Sequence, residues 1–260
     1  MRVLVFVATV FLFSGSSLAQ PDTQPLITDR PNQTASASVV PHKHFQIETG
    51  AVFESNLWRH TATEPERRAL NLATTLVRLG FGDWAELRLA SAYRSESTHY
   101  PDYRLQEQGL EAVSVGSKIG FWSEKAPLPQ VAFIFSFDLP VGAEAFRPDS
   151  PEPTAVFAFA NTLSERWSLG YNLGATWPSR EGRILHYTAS LGYTLSENAA
   201  TFVELYGDDG VLQPATLLFD TGVTYLLQRT LQFDFSAGFA LAQDLPGWFL
   251  SAGLSARFPD

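Results

Sequence analysis

The strongest constraint on the fold is the stretch from Trp248 to Phe258, near the end of the chain. Every second residue in it is apolar, beginning with Trp248 and ending with Phe258, and most residues between them are small or polar. Successive side chains of a β-strand point to opposite faces. A tilted strand of ~9–11 residues crosses a bilayer. The stretch therefore predicts a membrane-crossing strand with one apolar face and one small or polar face.

The same alternation recurs along the chain from residue 44, most cleanly in 167–177 and 184–195. About twelve such segments can be counted, and the connections between them alternate between short turns and longer, more charged loops. In hydrocarbon every backbone N–H and C=O group must pair within the sheet, so the sheet must close. The pattern predicts an all-β fold over residues 44–260, a transmembrane antiparallel up-and-down β-barrel of about twelve strands.

The N-terminus has the features of an export signal. Arg2 precedes an apolar run over 3–13, and small residues stand at Ser17 and Ala19. This pattern predicts a signal peptide over 1–19 that is cleaved before Gln20, and together with the barrel it indicates the outer membrane of a Gram-negative cell. No later run of about 18 apolar residues is present, so no transmembrane helix is expected.

Composition excludes several classes of function. The formal net charge of −9 and the lack of a Lys/Arg cluster argue against a nucleic-acid partner. The chain contains no cysteine, and its five histidines show no metal-ligand spacing. We therefore expect no metal, no cofactor and no enzymatic activity.

Tryptophans are expected at both membrane interfaces, where an indole ring meets both lipid and water. Three fall at the short-turn ends of the predicted strands and three at or near the long-loop ends. The predicted aromatic girdle consists of Trp58, Trp84, Trp122, Trp167, Trp177 and Trp248.

The polar faces of the predicted strands carry charged residues that should line the lumen. The candidates are Glu48, Arg78, Glu86, Arg88, Lys118, Asp138, Glu204, Asp220, Asp234 and Arg257. They have two interpretations: mutually paired side chains that rigidify a narrow barrel, or a polar path that selects the solute. A three-residue turn at 81–83 would pair Gly80 with Trp84 and place Arg78 opposite Glu86, which predicts a salt bridge between them.

Residues 20–43 form a polar lead-in rich in Pro, Thr, Ser and Gln. One hypothesis is that this segment folds into the lumen as a plug, with Asp29 and Arg30 pairing charges of the wall. The alternative is a disordered periplasmic tail.

Several short motifs resemble a known family. They are Thr28-Asp29-Arg30-Pro31, the stretches 45–50, 170–174 and 220–225, and the beginning of the last strand at 248–253. With these motifs the chain resembles the bacterial outer-membrane transporter family of the phenol-degradation meta-pathway type, in the variant common among Bacteroidetes. The resemblance implies passage of small, hydrophobic or aromatic molecules across the outer membrane, and it brings no catalytic residues.

Two other functions stay open from the sequence. One is a structural or surface barrel whose lumen is closed by paired charges. The other is a barrel hydrolase acting on lipids, for which His186 and Ser190 share a polar face. The expected partners are outer-membrane lipid, an unidentified small solute, and the barrel assembly machinery through the last strand, whose terminal aromatic residue is Phe258.

Overall fold

The computed structural model describes residues 26–56, 64–179, 182–212, 215–241 and 247–259. The predicted signal peptide, residues 20–25 of the lead-in and Trp58 lie outside these residues. No helix in the described part of the chain is long and apolar enough to cross a membrane.

Thirteen β-strands lie within the described residues and form one antiparallel sheet. They are β1 (Phe45–Ser55), β2 (Glu66–Phe81), β3 (Ala85–His99), β4 (Arg104–Leu110), β5 (Val113–Trp122), β6 (Gln130–Leu139), β7 (Glu152–Thr162), β8 (Trp167–Thr176), β9 (Ile184–Thr194), β10 (Ala199–Gly210), β11 (Leu218–Gln228), β12 (Leu231–Ala240) and β13 (Trp248–Phe258).

The sheet closes because the first strand pairs with the last. Eleven residue pairs join β1 to β13, from Phe45 opposite Phe258 to Ser55 opposite Trp248. The strands β4 and β5 pair with successive lengths of β3, so together they make one position in the barrel. The thirteen strands therefore build a closed twelve-strand barrel, which confirms the predicted fold.

The distribution of side chains is the reverse of that in a soluble protein. Large apolar residues such as Leu87, Phe233 and Phe235 are about half exposed on the outside, whereas Arg78, Glu86 and Lys118 are fully buried on the inside. This arrangement fits a barrel whose outer face meets lipid and whose inner face is polar.

Two sequence predictions about strands were wrong. The sequence over 94–109 predicts a long loop between two strands, but β3 continues to His99 and pairs with β4 as a hairpin. Ion pairs such as Arg94 to Glu96, at 2.7 Å, make this hairpin polar, which removes the apolar alternation that marks a membrane strand. The charged stretch 55–68 also predicts a loop, but its residues 66–68 belong to β2.

The weak alternation in β2 has a local cause. The pairing of β2 shifts register between Leu72 and Thr75, and Ala73 adopts a positive φ of 49°. A bulge of this kind adds a residue to one strand and reverses which side chains face inward. Accordingly, Asn71 is buried before the bulge and Arg78 after it, although their spacing is odd.

The turn between β2 and β3 also differs from the prediction. Phe81 pairs with Ala85, so the three turn residues are 82–84 and Arg78 lies opposite Arg88 rather than opposite Glu86. The predicted register was wrong by two residues because Trp84 belongs to the turn. The described tryptophans Trp84, Trp122, Trp167, Trp177 and Trp248 are all exposed, the first three at the short-turn end and the last two at the long-loop end.

A charge in the middle of the lipid-facing surface should destabilise the barrel. Phe235 lies near the middle of β12 and is 48% exposed on the outside. Replacing Phe235 with Arg is expected to lower the free energy of unfolding by ~2–4 kcal/mol, because the charge would lie in hydrocarbon. Denaturant unfolding in lipid vesicles measures this effect.

The matched control is Leu212→Arg, since Leu212 is 71% exposed in the connection after β10. It should change the same free energy by about 0.5 kcal/mol or less. Equal effects of the two substitutions would contradict a lipid-facing surface at Phe235.

Candidate functional site

The lumen contains residues 26–44, here called the N-terminal segment, which runs inside the barrel before β1 begins. Its backbone and side chains make hydrogen bonds to inward-facing residues of β1, β2, β3, β5, β8, β9, β10, β12 and β13. The segment therefore contacts most of the circumference of the lumen wall.

On one side of the lumen, toward the short-turn ends of β2 and β3, the wall and the segment form a buried ionic cluster. Its six members are Asp29, Glu48, Arg78, Glu86, Arg88 and Lys118. The three carboxylates and three cations come from the segment and from β1, β2, β3 and β5. Formal charges within the cluster are therefore balanced, as burial of ionised groups requires.

Arg78 is the centre of this cluster. Its guanidinium binds Glu86 through Nε to Oε1 at 2.8 Å and through Nη2 to Oε2 at 2.9 Å, and its Nη1 donates to Glu48 Oε1 at 2.8 Å. It also donates to the backbone carbonyls of Ile27 and Ser38 in the segment. The salt bridge between Arg78 and Glu86 is thus present despite the wrong register, because a long arginine side chain reaches a diagonal neighbour.

Asp29 supplies a carboxylate from the segment. It lies 2.8 Å from Arg88 Nη1, 3.1 Å from Lys118 Nζ and 3.7 Å from Arg78 Nη1. Burial raises its pKa, but the charges of Arg78, Lys118 and Arg88 outweigh burial and hold the pKa of Asp29 well below its usual range. Asp29 is therefore ionised at neutral pH and neutralises positive charge that β2, β3 and β5 place in the lumen.

Arg30 occupies a slot on the opposite side of the segment. Gly50 of β1 and Gly253 of β13 are cross-strand neighbours, and a Cβ atom on either would lie about 2.5 Å from the Arg30 guanidinium. The absence of side chains at these two positions lets Arg30 donate to Asp234 Oδ1 at 3.1 Å and to Ser251 Oγ at 2.9 Å. Its Nη1 donates to Thr74 Oγ1, which the bulge in β2 turns inward.

Glu204 of β10 binds the part of the segment that follows Arg30. Its carboxylate accepts the backbone N–H groups of Gln33 and Thr34, at 2.8 and 2.7 Å, and the hydroxyl of Thr34. Asn172 of β8 makes a reciprocal pair with the backbone of Ala35, at 2.7 and 3.1 Å. A segment without regular secondary structure thereby obtains partners for its buried backbone groups from wall side chains.

The segment separates two cavities of the lumen. The long-loop cavity has a volume of about 440 Å³ and is lined by residues that include Glu54, Tyr206, Asp208 and Phe249. The short-turn cavity has a volume of about 190 Å³, and its lining includes Gln46, Gln130 and Arg257. Segment residues line both cavities, so the same stretch of chain forms a boundary of each.

The remaining predicted lumen residues lie outside the ionic cluster. Asp220 and Asp234 are buried on β11 and β12, and Arg257 is buried on β13 opposite Gln46. Asp138 is half-buried near the long-loop end of β6, opposite Ser114. The structure thus distributes the predicted residues around the lumen, and it adds Gln46, Asn172, Thr188 and Ser190, whose inward position follows from alternation alone.

His186 and Ser190 do not form the pair that a hydrolase would need. Ser190 Oγ accepts a hydrogen bond from Asn32 at 2.6 Å. The two ring nitrogens of His186 lie instead 2.7 Å from Thr176 Oγ1 and 2.6 Å from Asp208 Oδ1. Among the described residues no group of three His, Asp or Glu side chains is arranged to hold a metal ion.

Comparisons with known proteins agree with this architecture. Residues 28–258 match the family described as "Putative MetA-pathway of phenol degradation". No curated protein sequence gives a significant match.

Similar solved structures are outer-membrane barrels. An outer membrane channel from Pseudomonas putida F1 has a TM-score of 0.68 at 10% identity and covers 88% of this chain and 100% of its own. The KdgM porin, solved in complex with disordered oligogalacturonate, has a TM-score of 0.56 at 10% identity, covering 82% of this chain and 99% of its own. The translocator domain of the autotransporter NalP from Neisseria meningitidis has a TM-score of 0.54 at 12% identity, with 83% and 89% covered. At these identities the likeness establishes a shared fold.

Breaking the ionic cluster should destabilise the folded barrel. Replacing Arg78 with Met leaves Glu48 and Glu86 buried without their main cation and is expected to cost ~3–5 kcal/mol of unfolding free energy. Denaturant unfolding in lipid vesicles tests this expectation.

Arg166→Met is the control, because Arg166 is exposed in the turn before β8. That substitution should leave the midpoint of unfolding nearly unchanged. A small effect of Arg78→Met would mean that water, rather than the guanidinium, stabilises the two carboxylates.

Proposed function

We propose that this chain, which belongs to the family described as "Putative MetA-pathway of phenol degradation", is an outer-membrane channel for small molecules whose lumen is gated by the N-terminal segment. The observation that supports a gate is the position of the segment between two cavities that lie toward opposite ends of the lumen.

The size of the barrel favours a channel. A barrel of about eight strands is filled by its own side chains, whereas one of 16–18 strands leaves an aqueous pore. Twelve strands lie between these limits, and here the added volume contains the N-terminal segment. Displacement of the segment would leave a path lined by the polar wall.

The contacts of the segment are suited to reversible displacement. It is held by hydrogen bonds and ion pairs to wall side chains such as Glu48, Glu204 and Lys118, and it is not a strand of the barrel. The backbone ladder of the wall is complete without it, since β1 pairs with both β2 and β13. Release of the segment would therefore leave the wall intact as a closed sheet.

The class of solute is proposed from the family and from the lumen. The family description refers to phenol degradation. Inside the lumen, Tyr206, Leu218, Ala240 and Phe249 form a buried apolar cluster with Val52 packed against it. An apolar patch within a polar lumen suits small hydrophobic or aromatic molecules.

We further propose how the chain reaches and enters the outer membrane. The predicted signal peptide over 1–19 directs the chain across the inner membrane. The strand β13, which ends at the aromatic Phe258, is proposed as the element that the barrel assembly machinery recognises. The long-loop end, by the usual layout of outer-membrane barrels, faces the outside of the cell.

Deleting residues 21–41 should open the lumen. Single-channel conductance in planar bilayers, and uptake of a sugar, a dicarboxylate and a small phenol into liposomes, are expected to rise relative to the intact protein. Heat-modifiable migration on gels confirms that the shortened chain still forms a barrel. Unchanged conductance in a folded barrel would remove the segment as the barrier.

A second experiment asks whether the segment must move. The Oγ1 atoms of Thr34 and Thr188 lie 2.7 Å apart, and the chain has no native cysteine. In the double variant Thr34→Cys, Thr188→Cys, a disulfide would fix the segment to β9. Oxidation should suppress solute uptake and reduction should restore it, whereas the single variant Thr34→Cys should not respond.

The same double variant distinguishes the proposed channel from the alternative, a structural barrel with a permanently closed lumen. That alternative is favoured by the density of buried ion pairs around Arg78. A permanently closed lumen predicts no uptake in either redox state, and therefore no recovery on reduction.

A further inference from the structure

The lumen wall in and next to the long-loop cavity carries several carboxylates. A row of directly paired residues crosses five adjacent strands there: Glu54 of β1 pairs with Phe249, Phe249 with Gly238, Gly238 with Asp220, and Asp220 with Glu204. All five residues face the lumen, so three carboxylates and one aromatic ring share this part of the wall. Of this row, Glu54 and Phe249 line the long-loop cavity, and Asp208 of β10 is a second carboxylate in its lining.

Asp220 of β11 faces another carboxyl group, that of Glu204 on β10. Its side chain is fully buried, and neither carboxylate oxygen accepts a hydrogen bond within the described part of the chain. The neighbouring Glu204 uses its oxygens to bind Gln33 and Thr34 of the N-terminal segment. Because Asp220 is fully buried and does not line the cavity, the carboxylates that a ligand there can reach are Glu54 and Asp208.

The arginine and histidine side chains near the cavity already have partners. Arg88 lies 2.7 Å from Glu86 and 2.8 Å from Asp29 within the ionic cluster. Arg94 is 3.6 Å from Glu54 but 2.7 Å from Glu96, so its closest ion pair points away from the cavity. His186 contacts Asp208 through Nδ1 at 2.6 Å. Carboxylates thus remain in excess around the cavity.

The apolar cluster lies on the same wall. The Phe249 ring extends over Gly238, where a Cβ atom would lie 2.4 Å from Phe249 Cε1 and 2.6 Å from Asp220 Cβ. Tyr206, two residues nearer the long-loop end of β10 than Glu204, lines the cavity together with Glu54, Asp208 and Phe249. Aromatic faces surrounded by carboxylates attract cations both through the ring quadrupole and through charge.

We propose that the long-loop cavity is a binding site for small organic cations with an aromatic or other apolar body, such as ammonium compounds. The ammonium group would lie near Glu54 and Asp208, and the apolar body would pack on Tyr206 and Phe249. The proposal rests on the proposed channel function and adds charge preference to it: organic cations enter and anions of the same shape are rejected.

Phenyltrimethylammonium and benzenesulfonate test this preference, because they are similar in size and carry permanent opposite charges. Isothermal titration calorimetry on the refolded protein in detergent measures binding of each. The expected result is saturable binding of the cation, with affinity at least tenfold above that for the anion. Equal affinities, or tighter binding of benzenesulfonate, would overturn the proposal.

Substitutions then locate the site. The double variant Glu54→Gln, Asp208→Asn keeps oxygens that can accept from Asn71 and His186 but removes two charges. It should weaken binding of phenyltrimethylammonium about tenfold or more. The single variant Glu54→Gln should show a smaller loss and serves if the double variant does not fold.

The control Glu144→Gln makes the same chemical change in the exposed loop after β6 and should leave affinity unchanged. Equal affinity of the double variant and the intact protein would place any cation binding outside this cavity.

Uptake of the two ions into liposomes is measured separately from their binding. Cation binding without uptake of any solute would refute the channel function and leave the binding site standing. Uptake of solutes without preference between the two ions would refute the site and leave the channel standing.

Discussion

The pairing of β1 with β13 is the interaction on which the rest of the structure depends. A sheet in hydrocarbon has no water to satisfy its edges, and the eleven pairs between these strands remove the only two edges that a twelve-strand sheet would leave. Once the sheet is closed, alternation assigns every second side chain to the inside. The polar interior, its charges and its cavities all follow from that closure.

A closed polar interior creates a second requirement, because charges that face each other in a confined lumen must be balanced. The wall alone does not supply this balance: Arg78, Arg88 and Lys118 lie together, and Asp234 lies apart from them on β12. The N-terminal segment supplies one charge of each sign. Asp29 contacts Arg88 and Lys118, and Arg30 contacts Asp234. The N-terminal segment is therefore an electrostatic component of the interior as well as a barrier across it.

The sequence predicted the fold well where one physical rule acts alone. In β8 and β9 alternation is undisturbed, and the observed bounds agree with the predicted ones within about a residue. In β2 the bulge at Ala73 and Thr74 changes which residues face inward, and nothing in the local sequence marks it. The hairpin of β3 and β4 pairs outside the regular barrel pattern with polar side chains, so its strands lack the signal that membrane strands carry.

For the lumen, the sequence identified charged residues better than it identified their partners. Alternation alone placed Arg78, Glu86 and Lys118 inside, and the structure brings them together. Contacts of Glu204 and Asn172 with backbone atoms of the segment could not be predicted, because a backbone N–H group has no residue-specific signature. The slot for Arg30 depends on Gly50 and Gly253 being opposite each other, which requires the register of strands about two hundred residues apart.

That slot has a consequence for how the barrel is assembled. Arg30 contacts Asp234 and Ser251, which are 204 and 221 residues away in the chain, while its guanidinium lies against both strands of the closing pair. A slip of one residue between β1 and β13 would turn Gly253 outward and bring a larger side chain, Ala252 or Leu254, to the inner face opposite Gly50. The guanidinium would then lose its space and its acceptors. Arg30 therefore stabilises the correct register of the first and last strands relative to a one-residue slip, although it belongs to neither strand.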